Sequence, residues 1–330
     1  MFLRPSDSAT ILFPLSELVR RLLADDHNST ILSGSSDPAL SQRLLRAMQR
    51  SEILWKSPFP HNKMVFKCHP NMVVKAVRKM EDYTEYTTLQ YLERHKPSIP
   101  SPRPLGAMRM SGVSLIFMTY VAETTLEEVW TRLDAVQKAS IQNQLDKILT
   151  DLRSLPHPDG TPFGGVEGEG CKDLRRHLRR STKPIMNISD FEDFLFSSSH
   201  PGGHVFVELL RQLSPLCQPS VSESPKGVFT HGDLRPDNIM VEITNSGQCL
   251  ITGLLDWEYS GFYPEYYESI KSTNCLAPTE DNDWYLFLPQ CISPKQYTAW
   301  WLLDRVRGWL LERSTLNLIE VGTVKFKTGN

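Results

Sequence analysis

THGDLRPDNIMV, residues 230–241, sets Asp233, Arg235, Asp237 and Asn238 directly ahead of the apolar run Ile239, Met240, Val241. A polar cluster before a strand is ordinarily a turn, its Asp and Asn side chains bonding the local backbone. The residues downstream change the balance. NIMVEIT and CLITGLLD, separated by NSG, read as a β-hairpin folded at about Ser246–Gly247. Such a hairpin returns Asp256 to the end that holds Asn238, with Asp233 on the loop just before it.

One Asp and one Asn offer oxygen ligands of the kind Mg²⁺ accepts while keeping its other positions for water and phosphate. Asp233 is then left as a carboxylate beside an incoming hydroxyl. Metal ligands together with an acid that orients the nucleophile form the layout of phosphoryl transfer.

HGDLRPDN followed by LLDWE resembles the aminoglycoside phosphotransferase family, a branch of the protein-kinase-like fold. SIPSPRPLG resembles the family's Pro-rich stretch, LDKILTDLRSLP its central helix, and DWEYSGFYPEYYE the version common in fungal members. The resemblance spans about residues 60–310. It implies an α+β, bilobal protein-kinase-like fold, with a small β-rich N-lobe and a larger, mostly helical C-lobe. It also implies ATP and Mg²⁺ as cofactors and a small-molecule hydroxyl as acceptor. Asp233 would be the catalytic base, Asn238 and Asp256 the metal ligands, and His231 a structural brace of the loop.

The N-terminal part carries two charges in unexpected places. KMVFK and MVVKAV flank the turn CHPN as a hairpin, and alternation puts Val73, Lys75 and Val77 on one face. An ammonium between valines needs a partner, because an unpaired buried charge is costly. In the next helix Glu85 shares the apolar face with Leu89 and Leu92. The kinase-like layout pairs a strand Lys, touching the α- and β-phosphates, with a helix Glu. Lys75 and Glu85 fit those roles; the plain alternative is a snorkelling Lys and a Glu at a frayed first turn. VSLIFMTYV reads as a strand running into a connector, where Thr119, Tyr120 and Val121 would border the adenine through backbone groups.

Departures from the family pattern are visible. No G-x-G-x-x-G precedes Lys75, Arg235 stands where His is usual, and Asp237 where Arg is common. They motivate a second reading, a catalytically weak or inactive kinase-like protein that binds nucleotide or a partner. A hydrolase built on His231 and Asp233 lacks any accompanying Ser or Cys nucleophile motif.

The rest of the chain sets bounds. Its 330 residues, 40% hydrophobic and 22% charged, suit a folded protein, and the net charge of −2 gives no footprint for nucleic acid. Six scattered cysteines without a C-x-x-C pair fit no zinc site. No stretch reaches the length of a membrane span, and the N-terminus lacks a secretion signal, so a cytoplasmic protein is expected. Three parts follow: a helical extension over 1–50, a small nucleotide-binding lobe over 51–120, and a large catalytic and substrate lobe over 121–330.

Two charge clusters remain. KDLRRHLRRSTK (172–183) carries six basic residues and one acid; as a helix it would set Arg175, Arg176, Arg179 and Arg180 on a solvated face. Residues 256–283 hold seven acids against Lys271, interleaved with Tyr259, Phe262, Tyr263, Tyr266, Tyr267 and Trp284. Such a floor would favour a cationic amino-alcohol as acceptor, although core packing accounts for most of the rings.

Overall fold

The computed structural model describes residues 8–24, 38–58, 62–122, 124–174, 178–196, 203–217 and 227–308. The chain divides into two compact units. One comprises residues 1–131 and 237–258, the other 132–236 and 259–330. The first unit therefore takes a segment from late in the chain.

The chain begins with β1 (Ala9–Phe13), α1 (Glu17–Leu23) and α2 (Pro38–Arg50). Ser16 caps α1 by accepting from the Val19 N–H, as its place before the apolar run predicts. Next come β2 (Glu52–Lys56), β3 (Lys63–His69), β4 (Met72–Arg78), α3 (Thr84–His95), β5 (Pro104–Met110) and β6 (Val113–Thr119). The six strands form one antiparallel sheet in the order β1-β5-β6-β4-β3-β2. Met72, Val74, Leu115 and Phe117 face a core shared with Val19 and Leu23 of α1 and Leu44 and Met48 of α2. Val73, Lys75 and Val77 alternate with that set and are also buried. Among the described residues, the expected helical extension over 1–50 holds two helices and, in addition, an edge strand of the sheet. The connection from β6 passes through β7 (Thr124–Thr125) into α4 (Leu126–Trp130).

The second unit opens with α5 (Ala135–Arg153). Asp134 and Gln137 close a capping box at its start, and Ile141, Leu145, Leu149 and Leu152 form its buried stripe. Then follow β8 (Lys172–Leu174), β9 (Leu178–Arg180), α6 (Ile188–Leu195), α7 (His204–Leu213) and β10 (Val228–Thr230). The chain returns to the first unit with β11 (Ile239–Ile243) and β12 (Cys249–Leu254). It completes the second with β13 (Gly261–Tyr263), α8 (Tyr267–Lys271) and a helical stretch over 298–308.

The described residues of the basic stretch 172–183 are not helical. β8 and β9 pair antiparallel, Asp173 opposite Arg179, and Arg175 and Arg176 lie outside the described residues. The reason is Asp173, which is 1% exposed. Its carboxylate meets Arg179 at 2.6 Å, Lys271 at 3.2 Å and Arg307 at 3.5 Å. Two of these cations come from 98 and 134 residues downstream, so local helical spacing could not reveal the anchor. Asp173→Ala would strand these cations in the interior, and a stability loss of about 3–5 kcal/mol is expected. Chemical denaturation reads this, and a change below about 1 kcal/mol would refute the structural role.

Candidate active site

In the first unit, β11 and β12 pair from Ile239–Leu254 to Ile243–Cys249, and Gly247 takes the positive φ of 80° that the turn requires. Ile239 opposes Leu254, and the Leu255 N–H donates to the Asn238 carbonyl at 2.8 Å. Asn238 and Asp256 therefore stand at the same hairpin end, as the spacing indicates. Asp256 itself adopts a left-handed φ of 65°, an uncommon conformation that marks local strain and that Asp tolerates better than most residues.

Lys75 on β4 and Glu85 in the first turn of α3 form the expected pair. The ammonium lies 2.7 Å from Glu85 Oε2 and 2.6 Å from Asp256 Oδ1. Glu258 comes within 3.9 Å of it and also accepts from Lys63 at the start of β3. One ammonium is thus shared among three carboxylates. Burial opposes the charge on Lys75, but Asp256, Glu85 and Glu258 outweigh it and hold the ammonium well above its ordinary range. Burial also pushes the Glu85 carboxyl up, with Lys75 pulling it down and Asp256 and Glu258 adding to the rise. Both partners of the pair therefore shift upward, Lys75 because three carboxylates surround it and Glu85 chiefly because it is buried. Glu85 is the most buried of the three acids.

Thr119 ends β6 opposite Met72. Its N–H donates to the Arg103 carbonyl, and the Tyr120 N–H donates to the Asn71 carbonyl, each at 3.0 Å. Those two donors are committed to the fold. Val121 packs its methyls over Gly253 of β12.

In the second unit, β10 leads into the loop His231–Asp233. His231 is wholly buried, and its Nδ1 accepts from the Asp233 N–H at 3.3 Å. Gly232 has φ 83°, and a Cβ there would lie 2.5 Å from the Tyr259 carbonyl oxygen, so only glycine fits. Beneath the loop sits Glu268 of α8. It accepts from the His231 N–H at 2.5 Å and from the Gly232 N–H at 3.2 Å. Burial raises the Glu268 carboxyl to about 7, against the lowering effect of the loop N–H groups and Arg153. Arg235 is half-exposed with its Nε 3.7 Å from Asp233 Oδ2, and Asp237 faces solvent.

The acidic floor drawn from residues 256–283 does not form as one surface. Glu268 is buried under the loop, Glu258 belongs to the lysine cluster, and Asp283 pairs with Lys138 at 2.7 Å. Tyr263, Tyr266 and Tyr267 are core residues, with Tyr266 stacked on Trp300 at 3.8 Å and Tyr263 on Tyr267 at 4.7 Å. Trp284 is also buried. These rings are packed in the core.

Sequence reasoning passed over Glu268, Glu258 and Lys63. A signal existed for Glu268: a lone carboxylate among Tyr266, Tyr267, Ser269 and Ile270 at the start of a short helix.

These features define a protein-kinase-like fold, and the comparisons with known proteins agree. The family model described as the phosphotransferase enzyme family (APH) matches residues 62–285, and the chain belongs to that family. The streptomycin–ATP ternary complex of APH(2'')-IIa is similar in structure, with 14% identity and a TM-score of 0.50, covering 90% of this chain and 93% of that one. ADP-bound aminoglycoside phosphotransferase APH(2'')-Ib gives 14% identity and a TM-score of 0.50, covering 88% and 91%. No curated protein matches the chain. No helix among the described residues is long and apolar enough to cross a membrane.

Proposed function

We propose that the protein transfers the γ-phosphate of ATP to a hydroxyl group of a small molecule. The observation that carries this reading is Lys75 held between Glu85 at 2.7 Å and Asp256 at 2.6 Å. A buried lysine fixed in this way on a sheet face of valines is positioned to meet the phosphates once a divalent cation neutralises the neighbouring carboxylates. The two solved structures above contain ATP and ADP, which makes an adenine nucleotide the first donor to test.

The cluster fits a divalent ion by its chemistry. Glu85, Asp256 and Glu258 offer ligand oxygens within 4.8 Å of one another, and Asn238 lies at the adjoining strand end. Asn238 and Asp256 are the residues proposed to hold Mg²⁺, which when bound supplies charge neutralisation along the phosphates. Lys75 neutralises the α- and β-phosphates, and Glu85 keeps it aimed. Asp233 orients the acceptor hydroxyl and takes its proton. His231 braces the loop backbone. Since the N–H groups of Thr119 and Tyr120 are occupied, adenine recognition at the connector uses their carbonyls and the backbone of Val121. Nothing in this reading calls for nucleic acid or a membrane, and the compartment it fits is the cytoplasm.

The acceptor reading is a small alcohol. Of the acids in residues 256–283, Glu265, Glu280 and Asp281 lie at the surface, so amine-bearing and neutral alcohols belong in the same panel. The test is ADP release with Mg²⁺ and ATP across that panel. Acceptor-dependent release is expected, and Asp256→Asn should lower it by about 10²–10³-fold. Nucleotide binding without acceptor-dependent release from any alcohol would favour the binding-protein reading, which Arg235 beside Asp233 motivates.

A further inference from the structure

The structure assigns Lys63 as a second phosphate-binding cation for the nucleotide, beside Lys75; this inference rests on the ATP reading above. Neither the resemblance to the family nor the departures from it pointed to this residue.

The placement is built into the sheet. Val65 of β3 opposes Lys75 of β4, and Lys63 opposes Val77. Directly paired residues share a face, and alternate residues along a strand share it too. Lys63 therefore projects from the same face as Lys75, one pleat away. Ser57 fixes its backbone: the Ser57 N–H donates to the Lys63 carbonyl at 3.0 Å, and the Lys63 N–H donates to Ser57 Oγ at 3.3 Å. The ammonium donates to Glu258 Oε1, while Glu258 Oε2 lies 3.9 Å from the ammonium of Lys75. One carboxylate thus bridges the two lysines.

Charge then decides the role. Two ammonium groups face three carboxylates, which leaves one negative charge in excess. A divalent cation held at Asp256 and Asn238 would turn that into one positive charge in excess, directed at whatever anion shares the site. Without Lys63 the same loaded cluster is neutral and has no net attraction for a polyphosphate. Exposure separates the two lysines. The Lys63 side chain is 24% exposed against 8% for Lys75, so Lys63 stands at the rim, where it can leave Glu258 for an incoming phosphate. In a chain without a G-x-G-x-x-G ahead of Lys75, a rim lysine supplies by side-chain charge what backbone N–H groups otherwise provide.

The experiment is calorimetric titration of the full chain in Mg²⁺ with ATP, ADP and adenosine. It compares the wild type with Lys63→Met and Lys63→Arg, and with Lys56→Met as a surface-charge control on exposed β2. A charge-assisted hydrogen bond to phosphate corresponds to about a 10- to 100-fold change in affinity. Lys63→Met should weaken ATP and ADP by that factor and leave adenosine unchanged. Lys63→Arg should restore most of the loss, and Lys56→Met should alter nothing. ATP affinity within about twofold of wild type in Lys63→Met would overturn the assignment. So would an equal loss for adenosine, because that pattern reports a damaged fold. A wild type that takes up no nucleotide would remove the phosphotransfer reading and this inference together, whereas wild-type binding that Lys63→Met leaves intact removes only the inference.

Discussion

Asp233→Asn is expected to lower acceptor-dependent ADP release by about 10²–10⁴-fold, the range typical of a positioned general base, while ATP affinity stays within about twofold. The substitution keeps the shape of the side chain and removes only its capacity to take a proton. The loop around it has independent supports: His231 holds the Asp233 N–H, and Glu268 holds the two preceding N–H groups. A fold defect is therefore not expected, and thermal denaturation of the variant should match the wild type. Loss of turnover with binding intact would separate chemistry from ground-state affinity. An Asn variant that turns over at the wild-type rate would remove Asp233 from the mechanism, and Arg235, 3.7 Å away, would need a different explanation.

Glu268→Ala should have the next largest effect, on stability and turnover together. The change leaves the buried N–H groups of His231 and Gly232 without their acceptor, at about 1–3 kcal/mol each. ATP binding should survive, because this carboxylate holds the loop of the second unit and has no proposed part in holding the nucleotide, so the defect should appear in kcat. Glu268→Gln is the informative companion. Oε2 already accepts from both N–H groups, at 2.5 and 3.3 Å, so a single amide oxygen can keep the loop in place. The Gln variant should retain most of the stability lost by Ala and lose the titration.

The sign of that titration follows from burial. The folded Glu268 carboxyl titrates at about 7, above its ordinary 4.5, so the folded chain binds a proton that the unfolded chain releases between those values. Stability contributed by this group is complete below about 4.5 and declines as pH rises to about 7, by roughly 3 kcal/mol over the interval. Glu85 shifts in the same direction, so the measurement is the difference between wild type and Glu268→Gln in urea melts across that range. A difference that does not change with pH would mean that Glu268 is ionised throughout.

Much of this site could be read from residue order because its parts announce themselves locally. Asn238 and Asp256 are joined by one short hairpin whose NSG turn and apolar alternation fix the register. Lys75 and Glu85 each break an apolar pattern, and each breach asks for an opposite charge nearby. Glu258 and Lys63 break no pattern, and they meet only because β3 and the end of the later hairpin come together across 195 positions. β1 was hidden for a related reason: its partner β5 lies about a hundred residues away, and a five-residue strand carries little periodicity of its own. Asp173 misled in the opposite direction. Arginines at helical spacing around it suggested a solvated helix, while the distant Lys271 and Arg307 make it the centre of a buried ionic cluster. Glu268 looked like surface charge because acid content along a chain does not report which carboxylate a loop backbone will claim.

The interleaving of the two units bears on how the chain matures on the ribosome. The sheet of the first unit is complete in its strands once Thr119 has emerged, yet Lys75 gains Asp256 and Glu258 only after synthesis has passed most of the second unit. A nascent chain arrested near residue 131 would display an ammonium matched to Glu85 alone. Domain-by-domain folding during translation is consequently unavailable for the half that is proposed to hold the nucleotide. A truncation at that boundary would yield an unfinished module rather than a separable one.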